Sequence, residues 1–172
     1  MGDVSERSFE RITDEDLERL AAVANETFDD LFRRRPDGAG VYRDRLLLLA
    51  LCQGAALHFV DGQNGVKDLD VMGFFRTHPD RPFPSRGRWP RDFGPSKFGR
   101  HPDDAGFQGR RVDILGRSID ADEGEDGVAA VRRYLTQKPT GTAGHLATKA
   151  VIGVYPPDIR GKVIWPIGQA GA

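Results

Sequence analysis

Cysteine and lysine are scarce in this chain of 172 residues, and each scarcity excludes a class of protein. With a single cysteine, Cys52, the chain can form neither an internal disulfide nor a cysteine-rich zinc site. Only five of the 25 basic residues are lysine and the formal net charge is -1, which is not the charge of a protein that coats nucleic acid. A lone cysteine is typical of proteins from a reducing cytoplasm.

Long apolar stretches are also absent. The longest, Leu46 to Cys52, is far too short to span a bilayer, and the N-terminal residues lack the apolar core of a signal peptide. We therefore expect a cytoplasmic protein with no membrane segment. The chain, with 38% hydrophobic residues, is long enough to bury the core of a single domain, residues 1–172.

Apolar residues at helical spacing predict a long helix after Thr13, which is a suitable N-cap. Acidic residues occupy the first turn of this helix and Arg33 to Arg35 its last, as the helix dipole favours. Pro36 and the glycines that follow it end the helix.

The apolar run Leu46 to Cys52 predicts a buried strand, followed by a sharp turn. Gly54 and Ala55 lead from that turn into a short helix that ends near Val60. Because Gly54 and Ala55 lack bulk, backbone N–H groups at the start of the helix can approach a phosphate closely.

Asp68 and Asp70 belong to a second predicted strand, after turn dipeptides that reverse the chain. Asp is depleted in strands and costly to bury without a partner. Two carboxylates at i and i+2 point to the same face, which indicates a shared cation. Mg²⁺ is the natural candidate, because it takes oxygen ligands and completes its shell with water and phosphate oxygens. The neighbouring Lys67 suits either a phosphate contact or a solvated turn.

Residues 110–116 predict a further strand with Asp113 at its centre. A single aspartate between Val112 and Ile114 is more often ion-paired or at a sheet edge. Its position after the Asp68 strand nevertheless favours a place beside the first two acids.

The segment 76–110 differs in composition from the rest of the chain, since prolines, aromatic residues and an excess of basic residues alternate in it. Two interpretations remain open. Guanidinium groups and aromatic faces together suit phosphates and bases. A surface loop that its aromatic side chains pin to the core would have the same composition.

The later part of the chain is predicted to be mainly helical, after an acidic turn that lacks the ligand spacing of a calcium loop. Helices are expected over residues 128–137 and 142–151, and the second carries His145 and Lys149 as surface residues. Residues 162–167 predict a terminal strand that docks on the core.

The order of these motifs resembles the core signature of the polymerase-beta-like nucleotidyltransferase superfamily. In that family a hydrophobic residue, Gly, and then Gly or Ser precede a spacer, two acids at i and i+2, and a third acid on an adjacent strand. Here Gly54-Ala55 is followed after twelve residues by Asp68-x-Asp70 and later by Asp113. The resemblance covers roughly residues 44–116 and points to the small bacterial members of the superfamily.

The resemblance implies an α/β (α+β) fold, with a mixed sheet flanked by helices. The domain would have its core in residues 44–116, an arginine- and aromatic-rich insertion in 76–110 and a helical C-terminal part in 127–155.

The resemblance also implies a set of site residues. The acids Asp68, Asp70 and Asp113 would be catalytic and would bind two Mg²⁺ ions that bridge a nucleoside triphosphate. Gly54 would contact the phosphates, together with its neighbour Ala55 and with Lys67.

The function so implied is Mg²⁺-dependent transfer of a nucleoside monophosphate from a nucleoside triphosphate to a hydroxyl of a small molecule, protein or RNA. The acceptor and any partner protein are left open. Two residues depart from the family pattern, because Ala55 supplies no hydroxyl and Gln53 stands where an apolar residue is usual.

Two alternatives follow from these departures and from the acids themselves. The first is a catalytically silent module that recognises nucleotide or RNA through Arg86, Arg88 and Arg91. The second is a metal site for phosphoester hydrolysis.

Overall fold

A computed structural model describes residues 6–84, 88–137 and 141–168. Its helices are α1 (Asp14–Arg34), α2 (Gln53–Asp61), α3 (Gly127–Thr136) and α4 (Gly141–Ala147). Its strands are β1 (Leu46–Cys52), β2 (Leu69–Arg76), β3 (Trp89–Asp92), β4 (Arg111–Ile119), β5 (Ala150–Tyr155) and β6 (Val163–Trp165). The predicted α+β fold, a mixed sheet flanked by helices, is confirmed.

The six strands form one sheet in the order β3-β4-β2-β1-β5-β6. Strands β2 and β4 run parallel, whereas all other neighbours in the sheet are antiparallel. The parallel register sets Asp70 directly beside Asp113, and the antiparallel register sets Cys52 beside Asp70. Paired residues in a sheet point to the same face, so this register brings the two acids together.

Alternation along the strands divides the core into two layers. Leu69 and Val71 of β2 are buried with α1 and α2 on one face, whereas Met72 and Phe74 are buried with α3 and α4 on the other. Asp70 lies between Leu69 and Val71 in sequence, and therefore on the face of α3 and α4.

Helix α1 begins as its sequence predicts. The Thr13 N–H donates to Asp16 Oδ2 over 2.8 Å, and the Asp16 N–H donates to Thr13 Oγ1 over 3.4 Å, which completes a capping box. Leu17, Leu20 and Phe28 are buried along the inner face of the helix.

The prediction of a helix from Thr142 through Val151 is wrong. Helix α4 ends at Ala147, and β5 begins three residues later. Three of the six residues of β5 are β-branched, and both edges of the strand are paired, with β1 and with β6. Sheet pairing thus overrides the local helical pattern, and the predicted helical part 127–155 ends in a central strand.

The segment 76–110 also contains a strand that was not predicted. Strand β3 pairs with β4 and lies at the edge of the sheet. An edge strand tolerates Pro90, which has no N–H to donate, because one side of the strand has no neighbour to bond. Phe83, Phe93 and Phe98 are buried in the core. These aromatic side chains therefore anchor the segment to the core. No helix in the described ranges is both long enough and apolar enough to cross a membrane.

Candidate functional site

A cavity of about 620 Å³ opens where β1 ends and β2 begins. The first turn of α2 forms one wall, and α4 with the residues after it forms another. Polar or small residues that line it are Arg7, Gln53, Gly54, Ala55, Lys67, Asp68, Asp70, Arg88, Thr142, His145 and Lys149. Gly54, Ala55, Lys67, Asp68 and Asp70, which were predicted from the sequence, thus lie around one cavity.

Asp68 and Asp70 are held at the cavity by the start of β2. Leu69, between them, is buried in the core on the α1 face, so its two neighbours in sequence are turned to the other side. Both carboxylates are half-buried, and both line the cavity. This is the arrangement predicted from their spacing.

The carboxylate of Asp70 is poorly compensated. Its Oδ1 atom is buried and has no hydrogen-bond partner in the described structure. Burial, followed by the negative charges of Asp68 and Asp113, raises the pKa of Asp70 to about 7. A buried oxygen without a partner, beside a second carboxylate, fits a divalent cation at Asp68 and Asp70, because a cation would supply the missing charge and the missing contact.

Asp113 lies beside this pair but is engaged by two arginines. Its Oδ1 accepts from Arg111 Nε over 2.8 Å, and its Oδ2 lies 3.5 Å from Arg88 Nη1. The carboxylate is only 1% exposed. Within the described residues, no three acidic, histidine or cysteine side chains form a group that could hold a metal ion. The structure therefore brings Asp113 next to Asp70, with its oxygens held by cations of the chain itself.

The turn into α2 is open towards the cavity. A Cβ atom on Gly54 would meet, outside its own helical turn, no atom of the described residues within 4 Å. Within residues 6–84, 88–137 and 141–168, no side chain caps the N-terminus of the helix, so the first N–H groups of α2 can face a ligand. Gln53, just before Gly54, is the one described non-glycine residue with positive φ, at 60°. Backbone in this strained region is often found at functional sites.

Three cationic or titratable residues of the cavity were not predicted as functional, namely Arg7, His145 and Lys149, whereas Arg88 was predicted as a binding residue of the alternative module. His145 and Lys149 were expected on the surface of one helix. They are exposed, yet they line the cavity from α4 and from the turn that follows it. The positive charges of Arg88 and Lys149 act on Asp70 and lower its pKa, against the larger effect of burial. The placement of His145 and Lys149 depends on the break between α4 and β5, which the spacing of residues in the sequence does not indicate.

His58, by contrast, has a structural role. It is buried, its Nδ1 accepts from the Gly65 N–H over 3.1 Å, and its Nε2 lies 3.0 Å from the Glu10 carbonyl oxygen. Both ring nitrogens are occupied, as expected for a packed helix residue and not for a catalytic base.

Comparison of the chain with models of known protein families, with curated proteins and with solved structures finds no match.

Proposed function

We propose that the protein is a Mg²⁺-dependent nucleotidyltransferase of the polymerase-beta-like type, which transfers a nucleoside monophosphate from a nucleoside triphosphate to a hydroxyl group. The observation that carries this proposal is the uncompensated carboxylate of Asp70, with Asp68 beside it and Asp113 in register on the adjacent strand. The open backbone at Gly54 supports it, because a phosphate can approach there. A reducing cytoplasm, which the buried free thiol of Cys52 suits, is part of the proposal.

The cavity has the charge distribution that the reaction requires. Asp68 and Asp70 would hold magnesium, which when bound neutralises the nonbridging phosphate oxygens and aligns the reacting groups. The N–H groups of the first turn of α2 would bind the triphosphate. Arg88 and Lys149 line the same cavity and would stabilise the charge of the leaving pyrophosphate.

The chemical step exchanges one P–O bond for another. The acceptor oxygen forms a bond to the α-phosphorus, and the bond from that phosphorus to the oxygen shared with the β-phosphate breaks. Pyrophosphate leaves with the electron pair of the broken bond, and the proton of the acceptor hydroxyl passes to solvent.

Transfer is tested with the four α-³²P-labelled nucleoside triphosphates, magnesium, and separate RNA, protein and small-molecule fractions as acceptors. We expect the native chain to transfer label to one of the fractions. No fraction should be labelled after chelation of magnesium, or by the variant that combines Asp68→Asn with Asp70→Asn. Equal labelling by that double variant would contradict the proposal. Phosphate release without any acceptor, abolished by chelation, would favour phosphoester hydrolysis instead.

One observation favours a second candidate, a catalytically silent module that binds nucleotide or RNA. Asp113, the expected third ligand, is engaged by Arg88 and Arg111.

Of the three arginines predicted for such a module, Arg88 lines the cavity. Arg91 donates to Thr27 Oγ1 over 3.1 Å on the α1 side, and Arg86 lies outside the described residues. Magnesium-dependent nucleotide binding without transfer to any acceptor fraction would favour this candidate.

A further inference from the structure

A second depression, of about 590 Å³, lies near the first and is here called the basic groove. Five cationic side chains line it, those of Arg7, Arg11, Lys97, Arg100 and Arg110. Two carboxylates, Glu6 and Glu10, also line it, so positive charge predominates. Segment 76–110 supplies three of the five cations, and the N-terminal residues supply the other two.

The groove is built on fixed backbone. Ser8 and Val66 exchange two backbone hydrogen bonds of 2.9 and 2.6 Å, which ties the N-terminal segment to the chain just before Lys67. Arg110 is only 4% exposed and donates to the Phe98 carbonyl over 3.0 Å and to the Lys67 carbonyl over 3.1 Å. The groove is therefore braced against the same turn that leads to Asp68.

Much of the positive charge in the groove is accessible. Arg11 and Arg100 are exposed. Of the two carboxylates, Glu6 is engaged by His101 Nε2 at 2.9 Å. Lys97 has a carboxylate partner of its own, because its Nζ lies 2.9 Å from Asp16 Oδ2. Arg11 and Arg100 are thus the side chains best placed to contact an anionic partner.

Phe9 adds an aromatic surface to the groove. Its side chain is 49% exposed, and Ile167 is the one other large hydrophobic residue in the described ranges that is exposed to this degree. The ring of Phe9 lies edge-to-face to that of His58, with centroids 6.3 Å apart. An exposed aromatic ring among arginines suits a nucleobase stacked next to its phosphates.

The groove and the cavity adjoin at Arg7, which lines both. We propose that the basic groove binds a single-stranded polynucleotide, whose terminal hydroxyl reaches the cavity as the acceptor. The acceptor role rests on the proposed function, whereas strand binding does not. The strand would gain one nucleotide through the P–O exchange described above, with release of pyrophosphate.

Strand binding is tested by fluorescence anisotropy with a labelled 12-nucleotide RNA, DNA of the same sequence, and the corresponding duplex, without nucleotide or magnesium. The groove variant combines Arg11→Glu with Arg100→Glu, both at exposed positions. The matched control combines Arg33→Glu with Arg34→Glu. These residues lie at the C-terminal end of α1, roughly 25 Å by helical rise from Asp16, which is paired with Lys97 of the groove. The aromatic surface is tested separately by Phe9→Ala.

We expect both single strands to bind more tightly than the duplex, and the tighter of the two identifies the natural strand. The groove variant should lose at least tenfold in affinity and show a smaller salt dependence, because each phosphate contact contributes to that dependence. Phe9→Ala should lose several-fold with the salt dependence unchanged. The control should stay within twofold of the native chain.

Three results would overturn the inference: no binding of either single strand, equal binding of the duplex, or an equal loss in the control. The variant that combines Asp68→Asn with Asp70→Asn separates this inference from the proposed function. If the groove binds single strands, that variant should still bind them. If that variant loses nucleotide binding but retains strand binding, the two aspartates act in the cavity and the groove binds the strand independently of them.

Discussion

The packing around Gly54 does not require a glycine there. Beyond its own helical turn, a Cβ at this position would meet no atom of the described residues within 4 Å, and the residue does not need a left-handed backbone. Glycine within a helix costs roughly 0.5–1 kcal/mol relative to alanine, so the sequence bears a small cost here. Under the proposed function, room for a phosphate would account for that cost.

Replacing Gly54 with alanine separates binding from stability. We expect Gly54→Ala to lower the affinity for the magnesium–nucleotide complex at least tenfold, because the methyl group would occupy the space of a phosphate. The free energy of unfolding should be unchanged or slightly higher. Gly106→Ala is the matched control, because a Cβ there also meets nothing and Gly106 lines none of the cavities described above. Equal nucleotide affinity in Gly54→Ala and the native chain would contradict a phosphate site at Gly54.

Asp70 makes stability depend on pH in a defined direction. Its pKa is about 7 in the folded protein, against an ordinary value of 3.8, so the folded state holds the proton more tightly than the unfolded state. Stability from this group is therefore fully present below about pH 4 and is lost as the pH rises through 7.

Asp70→Asn removes that loss. Asp68, Asp113, Arg88 and Lys149 face the group and are unchanged in the variant. Without magnesium, we expect the variant to be more stable than the native chain by roughly 1–3 kcal/mol at pH 8, and by much less at pH 4. Urea unfolding at the two pH values measures this difference. A variant less stable than the native chain at pH 8 would contradict the account of Asp70.

Under the proposed function, Arg88 should affect the binding of metal and of nucleotide in opposite directions. Its Nη1 lies 3.5 Å from Asp113 Oδ2 and the residue lines the cavity, so its charge would compete with a metal ion and attract a triphosphate. We expect Arg88→Ala to bind Mn²⁺ alone more tightly, as measured by electron paramagnetic resonance, and the nucleotide complex less tightly. Arg91→Ala, on the other face of the sheet, is the control. Weaker binding of Mn²⁺ alone in Arg88→Ala would contradict this role.

Among the secondary-structure elements, the strongest local patterns were the most predictable. Helix α1 has a cap, an apolar stripe and oriented charges, and it was predicted nearly to the residue. Strand β1 is an apolar run, and β2 and β4 were recognised from apolar residues on either side of their aspartates. Strand β3 was missed because Pro90 argues against a strand, although a sheet edge tolerates it. Strand β5 was missed because its first two residues were assigned to the preceding helix, although its β-branched residues and its two neighbours in the sheet favour a strand.

Gly73 and Gly116 leave space on the sheet for the rings of Phe28 and Phe83, which allows a test of packing. Gly73 and Gly116 are paired between β2 and β4. A Cβ on Gly116 would lie 2.5 Å from the Phe83 ring and 3.1 Å from that of Phe28. We expect Gly116→Ala to lower the free energy of unfolding by about 1–3 kcal/mol, because the rings must move. Gly54→Ala serves as the comparison, and equal stability of the two variants would contradict this packing.

In the molecule as a whole, distant segments form the site, and this limits what the sequence predicts. Asp68 and Asp70 were singled out by their spacing, and Gly54 and Ala55 by their small size, and all four line the cavity. The arginine pair on Asp113 and the cations after α4 depend on the sheet topology. So does the basic groove, which joins the N-terminal residues to segment 76–110. None of these three is visible as a local pattern.

Binding of a magnesium–nucleotide complex at Asp68 and Asp70 can be measured by isothermal titration of ATP, GTP, CTP and UTP into the native chain, with and without magnesium. The variant that combines Asp68→Asn with Asp70→Asn is titrated in parallel, after cooperative unfolding confirms that it folds. We expect magnesium-dependent binding of at least one nucleotide to the native chain, and at least a tenfold loss in the variant. Absence of binding for all four nucleotides with magnesium present, or equal binding to the folded variant, would contradict a nucleotide site at these two aspartates.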